Sequence, residues 1–334
     1  MNSQRESEII NFIKTNGQSS SKEIFDNLPL NISYATLKRT LIKLITKEFI
    51  DSTGKGKGTK YIVSSAYELL ESIDLEKYYE KEIDDREIKE IFNLQIITET
   101  LNKHSVFTKS ELEKLINFQK DYKNNIEQLS ENEYNKELDR LAIDLSWKSS
   151  QIEGNTYSLL ETERLIKEKE TASGKTKEEA TMLLNHKDAL DFIIKNSDYL
   201  HPLSVSKIED IHSVLIKELA VERNLRKRRV GISGTNYRPL DNEFQILEAL
   251  KSTCELINSK ESIFEKALLA LVLISYIQPF MDGNNRTARI VSNALLMNDK
   301  YCPLSFRTVD SIDYKKAMLL FYEQNNISRF KEIF

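Results

Sequence analysis

The residues between positions 278 and 289 combine the chemical groups that hold a polyphosphate. They read Gln-Pro-Phe-Met-Asp-Gly-Asn-Asn-Arg-Thr-Ala-Arg. Arg286 and Arg289 are three residues apart, so a helix places both on one side, where they can bind two phosphates. Asp282 beside them is a hard oxygen ligand suited to Mg²⁺. The alternative interpretation is a polar loop whose arginines face solvent.

The turn before these arginines adds a second anion-binding feature. Gly283, Asn284 and Asn285 fall where a buried helix, predicted over residues 262–277, ends and a new helix, predicted over residues 285–299, begins. A glycine-containing turn that enters a helix leaves backbone N–H groups free, and those groups together with the helix dipole attract anions. We therefore interpret this turn and the two arginines as a nucleotide-binding site.

A second polar cluster ends a long amphipathic helix predicted from about Glu131 to Ile152. Ser149 and Glu153 are four residues apart and therefore face the same way, and Gly154 is typical of a helix stop. An acid at a helix C-terminus is poorly placed against the helix dipole, which indicates a cationic partner elsewhere in the chain. The alternative is a solvated glutamate at a frayed helix end.

Residues 226–240 interrupt the helical pattern. Val230 and Ile232 alternate, Gly234 favours a turn, and the apolar pattern returns at Tyr237. This order predicts a small β-hairpin. An exposed hairpin edge can bind an extended peptide by adding a strand to it.

Three of these stretches resemble the Fic (Fido) family. Residues 278–289 are similar to that family's signature, His-Pro-Phe-x-Asp-Gly-Asn-Gly-Arg-x-x-Arg. Residues 149–155 match its inhibitory helix motif, Ser/Thr-x-x-x-Glu-Gly/Asn, in the subclass that carries the motif N-terminal to the core. The hairpin sits where the family's target-docking flap belongs. The resemblance covers about residues 95–330.

The resemblance implies an activity and its cofactors. It implies transfer of AMP from ATP to a hydroxyl of a protein target docked on the flap, with Mg²⁺ held by Asp282. The catalytic positions that it implies are Gln278, Asp282, Asn284 and Arg286. The phosphate-binding positions are Gly283, Asn284, Asn285, Arg286 and Arg289. The flap positions are Val230, Ile232, Gly234 and Tyr237.

The resemblance also implies autoinhibition by Glu153. That residue would pair with Arg289 and obstruct productive placement of the γ-phosphate, while Ser149, Gly154 and Asn155 complete the inhibitory motif. A charged hydrogen bond of this kind is worth roughly 1.5–3 kcal/mol, enough to compete with one phosphate contact. This pairing would explain the poorly placed acid.

Two motif positions depart from the family pattern. The catalytic histidine of the family is Gln278 here, and a glutamine amide can orient a hydroxyl but cannot deprotonate it. Loss of a general base costs about 10²–10⁴ in rate. Asn285 replaces a glycine, although asparagine tolerates left-handed backbone better than most residues.

These departures leave two principal functions open. The first is an autoinhibited adenylyltransferase that still transfers AMP slowly. The second is a catalytically inactive, nucleotide-sensing regulator that binds DNA. An inert interaction scaffold is a third alternative. We predict a nucleotide-binding site with weak or no transferase activity.

The elements that must position these residues are mainly α-helical. The chain of 334 residues holds only 9 glycines and 5 prolines, which favours helices over a strand-and-turn fold. We predict a Fic-type helical bundle with a small β-hairpin flap over residues 95–334, its inhibitory helix at about residues 131–153. Residues 65–94 are predicted to be an acidic linker helix. His186, His201 and His212 show no metal-ligand spacing and are interpreted as core or surface residues.

The first 64 residues form a basic module, with ten lysines and arginines against six acids. Three amphipathic helices followed by a strand, a glycine- and lysine-rich loop and another strand resemble a winged helix-turn-helix. In that family the third helix enters the major groove and the wing contacts phosphates. The DNA contacts that this match implies are Lys38, Arg39, Lys55 and Lys57. The alternative is a protein-docking module with solvated lysines.

The composition, 40% hydrophobic and 30% charged, is typical of a globular protein. The longest apolar run is far shorter than the ~20 residues of a bilayer span, so we expect no membrane partner. A polar start and two distant cysteines, Cys254 and Cys302, predict a cytoplasmic protein with two buried thiols. The sequence leaves the oligomeric state open, a homo-oligomer included.

Overall fold

A computed structural model describes residues 4–28 and 32–334, apart from the side chain of Lys57. The helices are α1 (Gln4–Asn16), α2 (Ser21–Asn27), α3 (Tyr34–Thr46), α4 (Tyr67–Leu70), α5 (Leu75–Tyr79), α6 (Leu101–Lys103), α7 (Lys109–Ile126), α8 (Glu131–Ile152), α9 (Leu159–Glu168), α10 (Lys177–Lys195), α11 (Val205–Leu215), α12 (Glu243–Ser259), α13 (Ile263–Ile277), α14 (Asn284–Asn298), α15 (Ser311–Gln324) and α16 (Ser328–Ile333). The strands are β1 (Ser19–Ser20), β2 (Ile50–Thr53) and β3 (Lys60–Val63). A π-helical turn, Ile96–Thr100, precedes α6.

The N-terminal head has the predicted winged-helix architecture. Helices α1, α2 and α3 pack on a small antiparallel sheet of order β1-β3-β2, in which Ile50 lies opposite Val63 and Thr53 opposite Lys60. Serine residues cap the second and third helices. Ser20 forms a capping box with Glu23, and the Ser33 side chain accepts a hydrogen bond from the backbone N–H of Thr36. The head buries its own apolar core, which includes Ile9, Leu37 and Leu41.

The prediction of one acidic linker helix over residues 65–94 is wrong. The segment forms two short helices, α4 and α5, a 3₁₀ turn and then an extended run. Its side chains bind the far end of the chain instead: the Tyr78 hydroxyl donates to Glu323 at 2.7 Å, and Arg86 pairs with the same buried carboxylate at 3.1 Å. The backbone N–H of Lys89 donates to the Glu323 carbonyl. These tertiary bonds override the helical charge pattern.

The main core is a helical bundle built around α13. Almost every residue of α13 is buried, as its lack of charged residues from Ala267 to Ile277 predicts, and α12 and α14 pack against it. Although α13 is strongly apolar, the part of the chain that the structure describes has no helix with the length and apolarity that a bilayer crossing requires. Cys254 is buried in this bundle, but Cys302 is exposed, so the prediction of two buried thiols is wrong for Cys302.

The predicted hairpin at residues 226–240 forms no strand pair of its own. The segment is an extended loop with a turn at Ser233 and Gly234, and its only bridge among the described residues is a parallel one between Arg238 and Ile91. The buried Arg226 guanidinium explains the difference, because it donates to the carbonyls of Gln278, Arg228 and Leu240. These side-chain bonds to backbone carbonyls fix the loop in place of the strand-to-strand hydrogen bonds that a hairpin needs.

Candidate functional site

The turn between α13 and α14 has the backbone of an open helix N-terminus. Gln278 ends α13 in the left-handed conformation, at φ 51°, and Gly283 begins α14 at φ 81°. No side chain caps this end of α14. A Cβ atom on residue 283 would lie 3.4 Å from the ring of His212, so both the positive φ and the close packing favour glycine. The first backbone N–H groups of α14 therefore point toward an anion position.

Gln278 is bound at both ends of its amide. Its side-chain oxygen accepts a hydrogen bond from Nδ2 of Asn284 at 2.9 Å. Its Nε2 donates to the Ser275 carbonyl at 2.7 Å and approaches the Tyr322 hydroxyl at 3.3 Å. Burial raises the pKa of Tyr322, so that hydroxyl stays protonated at neutral pH. Neither group supplies a general base.

Arg286 lies beneath the turn with one donor free. Its side chain is 1% exposed, and Nη2 donates to Asp282 Oδ2 at 2.9 Å. No described residue accepts a hydrogen bond from Nη1, which is also buried. A buried charged donor without an acceptor is costly, so the site is suited to an anion that would accept from it.

Arg289 is fully buried and bound by the predicted inhibitory motif. Nε donates to the Ser149 hydroxyl at 2.7 Å, and Nη2 donates to the Ser149 carbonyl at 3.0 Å. Nη2 also lies 2.6 Å from a carboxylate oxygen of Glu153. Asn285 Nδ2 approaches the second oxygen of that carboxylate at 3.5 Å. The replacement of a glycine by Asn285 therefore adds a weak contact to the acid.

The end of α8 fixes the position of Glu153. Gly154, at φ 100°, donates its N–H to the Gln151 carbonyl, and Asn155 donates its N–H to the Ser150 carbonyl. This pattern is a Schellman motif, which terminates helices at a left-handed glycine. The Asn155 amide is buried and donates to a backbone carbonyl of α10, so its role here is to tie two helices together.

Gln278, Glu153 and the turn at residues 282–286 line a cavity of about 400 Å³, the size of a small-molecule site. One end is formed by the turn at residues 282–286 and by Glu153. The other sides come from the loop after α11 and from α15, whose lining residues are Tyr314, Lys315, Met318, Leu319 and Tyr322. Sequence reasoning missed the α15 residues, because nothing local distinguishes them from an ordinary amphipathic helix.

A histidine does approach the turn, but from behind the cavity. The ring of His212 stacks on Phe280 with centroids 3.6 Å apart, and Nε2 lies 2.9 Å from the Asp282 carbonyl oxygen. Burial lowers the pKa of His212 to about 4, against the opposing effect of the Asp282 and Arg223 carbonyls, so the ring is neutral at pH 7. His212 does not line the cavity and supports the turn.

His186 is a second buried histidine near the site. It lies on α10, and no described residue bonds either ring nitrogen. Burial lowers the pKa of His186 well below its usual value, and the neighbouring charges of Arg289 and Arg286 lower it further. The predicted interpretation of His186 and His212 as core residues therefore agrees with their burial.

The residues around Asp282 fit one kind of metal ion. Among the described residues no three His, Cys, Asp or Glu side chains converge as a metal cage. Asp282 is a single carboxylate, 61% exposed, with one oxygen bonded to Arg286. Mg²⁺ is commonly held by one or two carboxylates together with substrate phosphates, and Asp282 suits that arrangement.

The predicted flap residues divide between two environments. Val230 and Ile232 are half-buried and line the cavity, and a Cβ atom on residue 234 would lie 3.4 Å from the Leu319 side chain. Tyr237 is buried, stacks on Tyr276 and donates its hydroxyl to the Tyr276 carbonyl. The prediction that Tyr237 contacts a docked target is therefore wrong, because its ring belongs to the core.

The predicted DNA contacts differ in their exposure. Arg39 on α3 and Lys55 in the wing are exposed. Lys38 is half-buried, and its Nζ lies 3.4 Å from the Tyr61 hydroxyl and over the rings of Tyr34 and Tyr61. The side chain of Lys57 lies outside the described residues.

The fold and the cavity together define a helical-bundle domain in which the uncapped N-terminus of α14 faces a cavity of small-molecule size. Residues 202–296, which include this turn, match the Fic/DOC family, and residues 2–121 match the penicillinase repressor family. The chain therefore contains a Fic/DOC domain preceded by a winged-helix segment of the penicillinase repressor type.

Named relatives agree with this assignment. A protein adenylyltransferase Fic from Nematostella vectensis is 29% identical over 175 residues, which span 50% of this chain and 40% of that protein. The protein adenylyltransferase fic-1 of Caenorhabditis elegans is 26% identical over 175 residues, 50% of this chain and 34% of that protein. The chain thus spans less than half the length of these relatives.

Solved structures share the fold. Fic-1 from Caenorhabditis elegans matches with a TM-score of 0.53 at 18% identity, over 67% of each chain. A Fic family protein from Desulfovibrio desulfuricans matches with a TM-score of 0.57 at 18% identity, over 68% of this chain and 71% of that one. At these identities the likeness shows the fold alone.

Proposed function

We propose that the cavity binds a nucleoside triphosphate with its phosphates at the start of α14. The observation that carries this proposal is Arg286, which lines the cavity and is buried with one Nη atom that no described residue accepts from. The uncapped helix end at Gly283 offers backbone donors beside it. A polyphosphate would satisfy both sets of donors, whereas an apolar ligand would satisfy neither.

Glu153 holds this site in an inhibited state. Its carboxylate accepts a hydrogen bond from Nη2 of Arg289, the second arginine of the motif, at 2.6 Å. A terminal phosphate needs the same donor and would also meet the negative charge of the carboxylate. Removal of Glu153 therefore frees one charge-assisted contact and relieves one repulsion.

The reaction that the named relatives suggest is transfer of AMP to a protein hydroxyl, and this chain would perform it slowly. Asp282 would hold Mg²⁺, and that ion would neutralise part of the phosphate charge. Arg286 and the N–H groups after Gly283 orient the phosphates. Gln278 stands where the family has its histidine and has no proton-accepting group to offer, so a target hydroxyl must react without a general base.

A nucleotide-sensing regulator is the second candidate. Two observations favour it: the Gln278 amide is bonded at both ends, and the head is a winged helix with exposed basic residues on α3 and in the wing. In that case nucleotide binding changes DNA affinity and no group is transferred. Salt-dependent binding of duplex DNA by the full chain, measured with and without MgATP, is the measurement that favours this candidate.

Calorimetric titration of the full chain with MgATP tests the nucleotide site. Wild type and Glu153→Gly should bind, and Arg286→Gln should lose roughly tenfold or more in affinity, because a charged hydrogen bond is worth ~1.5–3 kcal/mol. Arg140→Gln is the matched control, since Arg140 lies exposed on α8. Absence of binding by both wild type and Glu153→Gly, or full affinity in Arg286→Gln, would refute the proposal.

A further inference from the structure

The ring of His212 contacts a peptide bond of the turn between α13 and α14. Its Nε2 lies 2.9 Å from the Asp282 carbonyl oxygen, and its Nδ1 lies 3.3 Å from the Arg223 carbonyl oxygen. Both neighbours are hydrogen-bond acceptors, and a neutral imidazole has only one N–H to donate. The shorter contact therefore assigns this proton to Nε2, which donates to the Asp282 carbonyl.

The direction of that carbonyl fixes the direction of the next N–H. The peptide bond between Asp282 and Gly283 is trans, so its carbonyl oxygen and its N–H point in opposite directions within one plane. The carbonyl points at His212, which lies behind the cavity, whereas Asp282 and Gly283 line the cavity. The Gly283 N–H consequently points toward the cavity, and no described residue accepts a hydrogen bond from it.

Gly283 does not by itself hold this peptide plane in one orientation. A half-turn of the plane would reverse the carbonyl and the N–H together, and it would take φ of Gly283 from 81° to a negative value. Glycine adopts both signs of φ at similar cost, so the sterics of residue 283 do not select between the two orientations. A contact from outside the turn must therefore make the selection.

His212 is held in place by the core on which it lies. The side chain is fully buried, and helix α11, which carries it, packs against α14. The ring stacks on Phe280 with centroids 3.6 Å and planes 3° apart. A Cβ atom on residue 283 would lie 3.4 Å from the same ring. The N–H donor is thus presented to the Asp282 carbonyl from a fixed position in the bundle.

We propose that His212 is a positioning residue whose Nε2–H holds the Asp282–Gly283 peptide so that the Gly283 N–H faces the cavity as a donor to a phosphate. The inference rests on the proposed function for the phosphate, but the orientation of the peptide requires no ligand. A helix N-terminus binds an anion through backbone N–H groups that point at it, so the orientation of this peptide has a direct effect on binding.

Selective isotope labelling isolates this one peptide. Asp282 and Gly283 form the only Asp-Gly pair in the sequence. Cell-free synthesis of the full chain with labelled aspartate carbonyl carbons and labelled glycine nitrogens therefore gives one cross-peak in a carbonyl-to-amide correlation spectrum. The N–H residual dipolar coupling of that peak reports the direction of the Gly283 N–H bond in the chain without nucleotide.

Three variants separate the hydrogen bond from the packing of the ring. His212→Phe keeps a flat ring against Phe280 and loses the donor. His212→Gln can place an N–H near the position of Nε2. His186→Phe is the matched control, because it replaces another buried histidine, one whose ring nitrogens bond no described residue.

The dipolar coupling should change in His212→Phe and should keep its wild-type value in His212→Gln and His186→Phe. The same variants are titrated calorimetrically with MgATP in the Glu153→Gly background. There His212→Phe should lose roughly tenfold in affinity, because a hydrogen bond to a charged phosphate is lost, and the other two should keep most of theirs.

A wild-type coupling in His212→Phe would overturn the inference, as would a changed coupling in His212→Gln or His186→Phe. If His212→Phe does not fold, His212→Gln decides alone: its wild-type coupling supports the hydrogen bond, and a changed coupling refutes it. A changed coupling in His212→Phe with undiminished MgATP affinity would refute the role in phosphate binding. Failure of Glu153→Gly itself to bind MgATP would instead contradict the proposed function, and the coupling would still decide whether His212 orients the peptide.

Discussion

The side-chain oxygen of Gln278 accepts a hydrogen bond from Nδ2 of Asn284 at 2.9 Å. Asn284 in turn accepts the backbone N–H of Phe280 at 2.8 Å and donates to the carbonyl of the same residue. The two amides thus brace the turn across its width. The Gln278 nitrogen donates to the Ser275 carbonyl, and its amide oxygen is not basic enough to take a proton from a substrate hydroxyl.

Restoring a base at position 278 should therefore restore transfer once Glu153 is removed. We expect Glu153→Gly with Gln278→His to label protein from α-labelled ATP about 10²–10⁴ times faster than Glu153→Gly alone, which is the usual contribution of a general base. Autoradiography of the full chain with a cell extract as acceptor measures the rate. Glu153→Gly with Gln278→Ala is the control, since it removes the amide without adding a base.

The alanine control should show no gain. If Glu153→Gly alone labels as fast as the double variant, Gln278 does not limit the reaction and the proposed slow transfer is wrong. If no variant labels although all bind MgATP, the regulator is the better interpretation.

Removal of Glu153 should tighten MgATP binding even without catalysis. The Glu153 carboxylate is only 24% exposed and sits on Arg289, so its loss frees a charged donor worth ~1.5–3 kcal/mol. We expect Glu153→Gly to lower the dissociation constant by roughly 10–100-fold and Glu153→Gln to give an intermediate value. Glu137→Gln, an exposed acid on the same helix, serves as the control in calorimetric titrations. Unchanged affinity in both Glu153 variants would contradict inhibition by this residue.

The pairing of Glu153 with Arg289 shows how far local sequence can predict this site. An acid at a helix end lacks local stabilisation, which predicted a distant cation, and the family motifs named Arg289 as that partner. Helix α8 and the Gly283 turn follow local rules of the same kind, and both were predicted. These features depend on residues close together in the chain.

The loop at residues 226–240 shows where local sequence fails. Alternating apolar residues predicted strands, but Arg226 bonds to carbonyls near position 278, about fifty residues away, and Tyr237 stacks into the core. The prediction of a linker helix over residues 65–94 fails for the same reason, since Tyr78 and Arg86 bind Glu323 near the other end of the sequence. His212 approaches the turn from another helix without any local signal. Such contacts arise from tertiary packing, which no periodicity encodes.

Arg226 should be the most important polar residue of this loop for stability. Its fully buried guanidinium donates to several backbone carbonyls, and Arg226→Met would leave those acceptors buried without partners at about 1–3 kcal/mol each. A loss of about 3 kcal/mol corresponds to a fall of roughly 6–12 °C in Tm for a core of this size. Arg228→Met, two residues away and exposed, should change Tm by less than about 2 °C. Equal Tm values for the two variants, measured by calorimetry, would refute this assignment.

His186 should make the folded state sensitive to acid. Its pKa in the folded chain lies well below 6.5, because burial and the charges of Arg289 and Arg286 disfavour the imidazolium. As pH falls below about 6.5, His186 binds a proton in the unfolded chain but stays neutral in the folded chain. Stability that is present above this pH is therefore lost on acidification. The expected loss is ~1.36 kcal/mol per pH unit for this one group. His186→Leu should remove that contribution and flatten the pH dependence of the free energy of unfolding.

Urea denaturation of the full chain at several pH values between 7 and 5 measures this slope. The wild-type slope also contains carboxylate and His212 contributions, so the difference between wild type and His186→Leu is the informative quantity. His201→Gln is the control, because it replaces an exposed histidine outside the buried core. A variant that is less stable at every pH but keeps the wild-type slope would show that His186 only fills space. A flattened slope would show that burial and the charges of Arg289 and Arg286 keep the His186 imidazole neutral in the folded chain.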